Sequence, residues 1–209
     1  IILHCFFGDK DSGIYGEKEF TLKSIIMIKF INNKAKWFYL LLLTTTLISA
    51  TKIADKKPVV IGYVTGYNGL INQNEIAVDQ LTHINYAFVN VKNNQAYLDN
   101  FKRDSTNFLR LNSLKAKNPK LQILISIGGW SWSENFSDAV LTDSLRKGFA
   151  KSAVQIIRKH HLDGVDIDWE YPGMAGEEGN VYRPEDKENF TLMFKELRNE
   201  LDILENQTG

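Results

Sequence analysis

From residue 59 onward the chain alternates short apolar runs with longer stretches of helical spacing. Val59-Val60-Ile61-Gly62-Tyr63-Val64, closed by Thr65-Gly66, is a β-branched run that predicts a first strand. Residues 74–81 predict a short, weak helix, and residues 83–89 a second strand. Asp104 or Ser105 can cap a helix that carries Phe108, Leu111 and Leu114 on one face and stops before Pro119. A third strand is predicted over 121–127. Residues 144–161 then place Leu145, Phe149, Ala153, Ile156 and Ile157 at helical spacing. The fourth strand is predicted over 164–171. Pro184 suits the first position of a helix bearing Phe190, Met193, Phe194, Leu197, Leu201 and Leu204. Strand-helix repetition of this kind predicts parallel βαβ units, in half of a barrel or in an open doubly wound sheet.

The fourth strand carries the densest chemistry. In Asp163-Gly164-Val165-Asp166-Ile167-Asp168-Trp169-Glu170-Tyr171-Pro172 the acids Asp166, Asp168 and Glu170 recur every second residue. A strand has a side-chain period of two, so these acids share one face with neighbours about 7 Å apart. Val165, Ile167 and Trp169 take the other. Three ionised carboxylates on one buried face repel one another. Such a row implies shared protons, a neutralising metal or acid chemistry. A solvated charge run fits poorly beside apolar residues this large. Carboxylates also suit magnesium, calcium or manganese, so a metal site is the main rival.

The open-sheet alternative calls for a glycine-rich phosphate loop. Gly128-Gly129 lacks the Gly-x-Gly-x-x-Gly spacing, and bulky Trp130 and Trp132 follow it. In a barrel, by contrast, the site lies at the C-terminal ends of the strands. Tyr63, Phe88, Gly129-Trp130 and Glu170-Tyr171 all fall there. Aromatic rings around an acid row would make a floor for sugar rings.

Asp163, Asp166, Asp168 and Glu170 fill Asp-x-x-Asp-x-Asp-x-Glu, and Ser126-Ile127-Gly128-Gly129 fills Ser-x-Gly-Gly. The two motifs, in this order and at this interval, resemble the signatures of glycoside hydrolase family 18, the chitinases. The resemblance implies a (β/α)8 TIM barrel of which about the first four β/α units are present. It implies hydrolysis of β-1,4-linked N-acetylglucosamine polymers with retention, without a cofactor or metal. Glu170 would be the general acid/base. Asp168 would orient the substrate's acetamido group, and Asp166 would share a proton with Asp168. Tyr63, Phe88, Gly129, Trp130 and Tyr171 would bind substrate, with ordinary core packing as the competing role for Tyr63 and Phe88. Ser126 and Asp163 would support the row from behind, Asp163 chiefly through a turn or cap. The partners implied are chitin or N-acetylglucosamine oligosaccharides, with the whole protein a monomer. The alternatives are an endo-β-N-acetylglucosaminidase with the same chemistry, or a non-catalytic chitin-binding lectin of the same fold.

Charge and the chain's first fifty residues add context. The sequence holds 25 basic and 25 acidic residues. Residues 1–50 carry 6 basic and 4 acidic, leaving 19 against 21. No basic footprint for nucleic acid results. Met27, then Lys29, Lys34 and Lys36, the apolar run 37–48 and Ser49-Ala50 read as a secretory signal peptide over 27–50. A run of twelve residues is too short to span a bilayer, which needs about 20. Residues 1–26 show no structural pattern and are expected to be translated upstream sequence, with 51–58 a linker before the domain at 59–209. Secretion of a bacterial type is expected, without stable membrane insertion after cleavage. An uncleaved signal-anchor is the alternative. The single cysteine, Cys5, leaves the domain without thiols. From Lys57 to Gly209 there are 153 residues, against about 250 in a whole barrel. The isolated chain is therefore expected to expose strand edges, fold poorly and lack activity.

His83 suits a strand start, and His160 and His161 suit a helix end favoured by the dipole.

Overall fold

The computed structural model describes residues 2–5 and 58–208. The predicted signal peptide and nearly all of the linker lie outside those residues. Six strands occur among them: β1 (Ile2–Cys5), β2 (Ile61–Thr65), β3 (His83–Lys92), β4 (Gln95–Tyr97), β5 (Gln122–Gly128) and β6 (Gly164–Asp168). The α-helices are α1 (Phe101–Ser113), α2 (Phe136–Ala139), α3 (Asp143–His160) and α4 (Asp186–Thr208). Among the described residues, no helix is long and apolar enough to cross a membrane.

The sheet order is β1-β6-β5-β3-β2, and every pairing along it is parallel. The four strands from β2 to β6 that the sequence predicts lie side by side in chain order. A doubly wound sheet would reverse its order partway; between β2 and β6 there is no reversal, and β1 joins the outer edge of β6. Its faces also differ. Ile84, Ile123, Ile125, Ile127, Val165 and Ile167 share one core with Phe108, Leu111, Phe149, Ile157, Met193 and Leu197 of the helices. The opposite face carries Tyr63, Ser126, Asp166 and Asp168. An α/β fold with helices packed on one face of a parallel sheet is what this alternation of side chains produces.

Several expected elements differ in detail. The weak helix at 74–81 is two 3-10 turns, Gln73–Glu75 and Val78–Gln80, since too few apolar residues there reach the core. β3 runs on to Lys92 and turns back into β4 through Asn93 and Asn94, both left-handed at φ 50° and 59°. The cap of α1 is Asn100, whose side chain accepts the Arg103 N–H at 3.0 Å. Asp104 lies inside that helix, where its carboxylate accepts the buried Tyr86 hydroxyl at 2.7 Å. Thr142 caps α3, and His161 closes it in the left-handed region. α4 begins at Asp186, two residues after Pro184.

Two differences matter more. Residues 1–26 were expected to lack a pattern, yet Ile2–Cys5 lies parallel to β6, with Ile2 opposite Gly164 and Cys5 opposite Ile167. The edge of β6 offers unpaired backbone groups, and an extended apolar segment can take them. The second difference is that β6 ends at Asp168 rather than Tyr171. Its neighbour β5 ends at Gly128, directly opposite Asp168, so no ladder remains for the next residues to join.

Candidate active site

The site is built where β5 and β6 stop together. Gly128 has φ +111°, and a Cβ there would lie 2.2 Å from the Asp168 carbonyl oxygen. Only glycine permits both the conformation and the approach. The next residue fastens the junction, with Gly129 N–H donating to Asp168 O at 2.7 Å. The chain then turns through Trp130–Trp132. The Ser-x-Gly-Gly pattern therefore has a backbone cause: it lets the third strand close on the end of the acidic strand.

Asp166 is 1% exposed. Its Oδ2 accepts two hydroxyls, Ser126 at 2.7 Å and Tyr63 at 3.0 Å. Ser126 faces Asp166 in the strand register, so this contact follows from pairing alone. Tyr63 arrives from β2 on the far side of β3. Burial, and next the adjacent Asp166 carboxylate, hold its hydroxyl well above the usual phenol range, so it serves as a donor. The residue as a whole is 45% exposed.

Asp168 is half-buried at the end of β6. Its pKa is raised from 3.8 to about 6, first by burial and then by the nearby charges of Glu170 and Asp166. Glu170 lies just beyond the strand. Its N–H donates to Ser133 Oγ at 2.8 Å and its carbonyl accepts Asn180 Nδ2 at 3.2 Å. Between the acids, Trp169 points the other way, stacked on Phe136 at 5.1 Å and edge-on to Phe190 at 5.8 Å. The alternation expected of a strand thus persists past the strand's end, held by packing on the helix side. The peptide bonds Ala87–Phe88 and Glu170–Tyr171 are cis.

Aromatic rings border the acids. Trp130 and Tyr171 stand edge to face at 6.5 Å, and both are nearly half exposed. Tyr67, Phe88, Gly128, Gly129, Trp130 and Trp132 line one groove. The structure therefore gathers Tyr63, Ser126, Asp166, Asp168, Glu170, Gly129, Trp130 and Tyr171 at one end of the sheet, with Phe88 in the adjoining groove. Asp163 is placed elsewhere. At the opposite end of β6, its Oδ2 accepts Ile123 N–H at 2.7 Å and pairs with Lys115 Nζ at 2.6 Å. That carboxylate ties strand ends together and makes no hydrogen bond to the acid row. His161 ends α3, while burial lowers the pKa of His160. Among the described residues, no cluster of three or more His, Cys, Asp or Glu side chains is arranged to hold a metal ion.

Ser133, Asn180 and Tyr67 escape a reading by motif. They lie in loops, where no periodicity announces which side chain turns inward.

Comparison with known proteins identifies the family. The model of the glycosyl hydrolases family 18 matches residues 59–209. The chain belongs to that family. Chitinase A1 of Niallia circulans is 52% identical over 96 residues, covering 46% of this chain and 14% of that protein. Among solved structures, a family 18 N-acetylglucosaminidase from Paenibacillus barengoltzii superposes with a TM-score of 0.62 at 40% identity, covering 71% of this chain and 42% of that one. Human YKL-39, described as a pseudo-chitinase with retained chitooligosaccharide binding, superposes at 0.59 with 27% identity, covering 72% and 40%. The chain spans 14–32% of the length of the curated relatives it matches.

Proposed function

We propose that residues 59–209 form the N-terminal half of a (β/α)8 barrel whose complete form is a retaining chitinase. The observation that carries this reading is the graded acid row. Asp166 is immobilised by two hydroxyls, Asp168 holds a proton up to about pH 6, and Glu170 stands last, beside exposed aromatic rings. The sequential, parallel order β2-β3-β5-β6 supports the barrel.

A glycosidic oxygen leaves only when protonated, and Glu170 supplies that proton. The chain's acids stand along one strand end and do not straddle a sugar, so none is placed to attack the anomeric carbon from the opposite face. The substrate provides the nucleophile instead. Its acetamido carbonyl oxygen attacks C1, the bond to the leaving oxygen breaks, and an oxazolinium forms. In its carboxylate form Asp168 accepts a hydrogen bond from the acetamido N–H and balances the developing positive charge. Glu170, now a carboxylate, takes a proton from water as the water opens the ring with retention. Asp166, held by Tyr63 and Ser126, fixes the end of the row against which Asp168 shares its proton. Trp130, Tyr171 and Phe88 present apolar surface to sugar rings.

The substrate class is proposed as chitin or its oligosaccharides, and the enzyme as an exported one. The test is the whole protein against its Glu170→Gln variant on N-acetylglucosamine oligosaccharides. Turnover in the first and its near-complete loss in the second, with sugar binding retained, is the expected result. Binding without turnover in both would favour a lectin of the YKL-39 kind. Cleavage of glycoprotein glycans alone would favour an endo-β-N-acetylglucosaminidase. Activity abolished by a chelator and restored by magnesium would overturn the metal-free mechanism.

A further inference from the structure

The acid row accounts for the reacting groups but not for how Glu170 keeps its place. β6 has already ended at Asp168, so Glu170 has no strand partner to set its backbone. A serine from the neighbouring loop takes over that task. Ser133 is fully buried, and its hydroxyl sits among three backbone groups. Its Oγ accepts Glu170 N–H at 2.8 Å and donates to Gly129 O at 2.8 Å, with Asp168 O 3.3 Å away. Donor and acceptor capacity of one hydroxyl are both used.

The carbonyl side of the same residue is held independently. Asn180 Nδ2 donates to Glu170 O at 3.2 Å from the loop that follows. Gly176 of that loop packs so closely that a Cβ there would lie 2.0 Å from the same carbonyl oxygen. A further bond joins the two loops, Ser131 Oγ to Glu177 Oε1 at 3.3 Å. Glu170 is thus gripped at N–H by the loop that bears Trp130 and at C=O by the loop that begins at Tyr171.

We propose that Ser133 is a positioning residue for the general acid: by bridging Glu170 N–H to Gly129 O it fixes the acid relative to the Trp130 turn. The inference rests on the reading of Glu170 as the acid. Loss of the hydroxyl removes its bonds to the Glu170 and Gly129 backbone. It frees the Glu170 peptide to shift, and a displacement of about 1 Å can cost on the order of a hundredfold in rate.

The experiment compares the whole wild-type protein with Ser133→Ala, Ser133→Thr and Asn180→Ala on a soluble N-acetylglucosamine oligosaccharide. It measures kcat and KM separately, together with thermal midpoints. Ser133→Ala is expected to lower kcat about ten- to a hundredfold with KM within about threefold, since the interaction acts on the transition state. Ser133→Thr, which keeps the hydroxyl, is expected to recover most of that loss. Asn180→Ala should lower kcat in the same way but less. A kcat for Ser133→Ala equal to wild type would overturn the proposal, as would a Thr variant that is as slow as Ala yet equally folded. Loss of kcat only in proportion to lost folded protein would also overturn it, by assigning Ser133 a purely structural role. Absence of turnover in the wild type is a separate outcome: it removes the chitinase reading, and this inference with it.

Discussion

Ser126 Oγ and Asp166 Oδ2 lie 2.7 Å apart across two adjacent parallel strands, in a fully buried pair. Tyr63 shares the same oxygen from β2, three strands away from β6 in the sheet. A buried carboxylate that loses a donor keeps its desolvation cost and loses part of its compensation. Removing such a partner costs about 1–3 kcal/mol. Ser126→Ala should therefore lower unfolding stability by that amount and reduce kcat about tenfold. Urea unfolding and steady-state kinetics on the whole protein check both. A variant with unchanged stability would show that Asp166 does not depend on the Ser126 hydroxyl.

The elevated pKa of Asp168 makes a stability prediction with a fixed sign. Its carboxyl binds a proton more tightly in the folded state, at about 6, than at the ordinary 3.8. The group's favourable contribution is therefore complete below about pH 4 and is lost as pH rises through about 6. Asp168→Asn cannot ionise. The thermal midpoint of this variant should gain on wild type between pH 4 and pH 7, then run parallel above. A difference independent of pH would mean that Asp168 titrates normally.

Much of this was legible in the sequence, and the reason is periodicity. Val165, Ile167 and Trp169 face the helices, as their alternation with the acids requires. Ser126 meets Asp166 because parallel register carries residues of neighbouring strands to the same height. The reading weakened wherever backbone stopped being periodic. Glu170 reads as the fourth strand's penultimate position, yet the strand ends two residues earlier because β5 offers no more partners. Tyr63 reads as a sugar platform or a core residue, while its hydroxyl bond to Asp166 depends on a reach across β3 and β5 that one-dimensional spacing does not encode. Ser133 is one serine among several in a loop, and nothing local distinguishes it.

Trp130 gives a test of the groove apart from the acids. The residue is 48% exposed, and its indole meets Tyr171 edge to face at 6.5 Å. Little of it is committed to the core, so Trp130→Ala should leave the thermal midpoint nearly unchanged. An aromatic face covering a sugar ring contributes on the order of 1 kcal/mol, so oligosaccharide affinity should fall about five- to tenfold. Calorimetric titration in the Glu170→Gln background reads affinity without turnover. Unaltered affinity would remove Trp130 from the binding surface.

Two glycines should respond oppositely to one methyl group, and the contrast isolates the strand junction. Gly148 lies in the interior of α3, and a Cβ there meets nothing within 4 Å. Gly148→Ala should raise stability by about 0.5–1 kcal/mol through helix propensity and a less flexible unfolded chain. Gly128 has φ +111°, and its Cβ would fall 2.2 Å from Asp168 O and 2.8 Å from the Phe136 ring. Neither the carbonyl nor the buried ring can withdraw without moving the end of β6. Gly128→Ala should cost about 2 kcal/mol or more and displace Asp168 and Glu170 together. Its kcat should therefore fall well beyond what the loss of folded protein explains. Denaturant unfolding and kinetics on both variants decide the matter. Equal stability of the two alanine variants would mean that β5 and β6 do not close on each other as tightly as the Gly128–Asp168 approach requires.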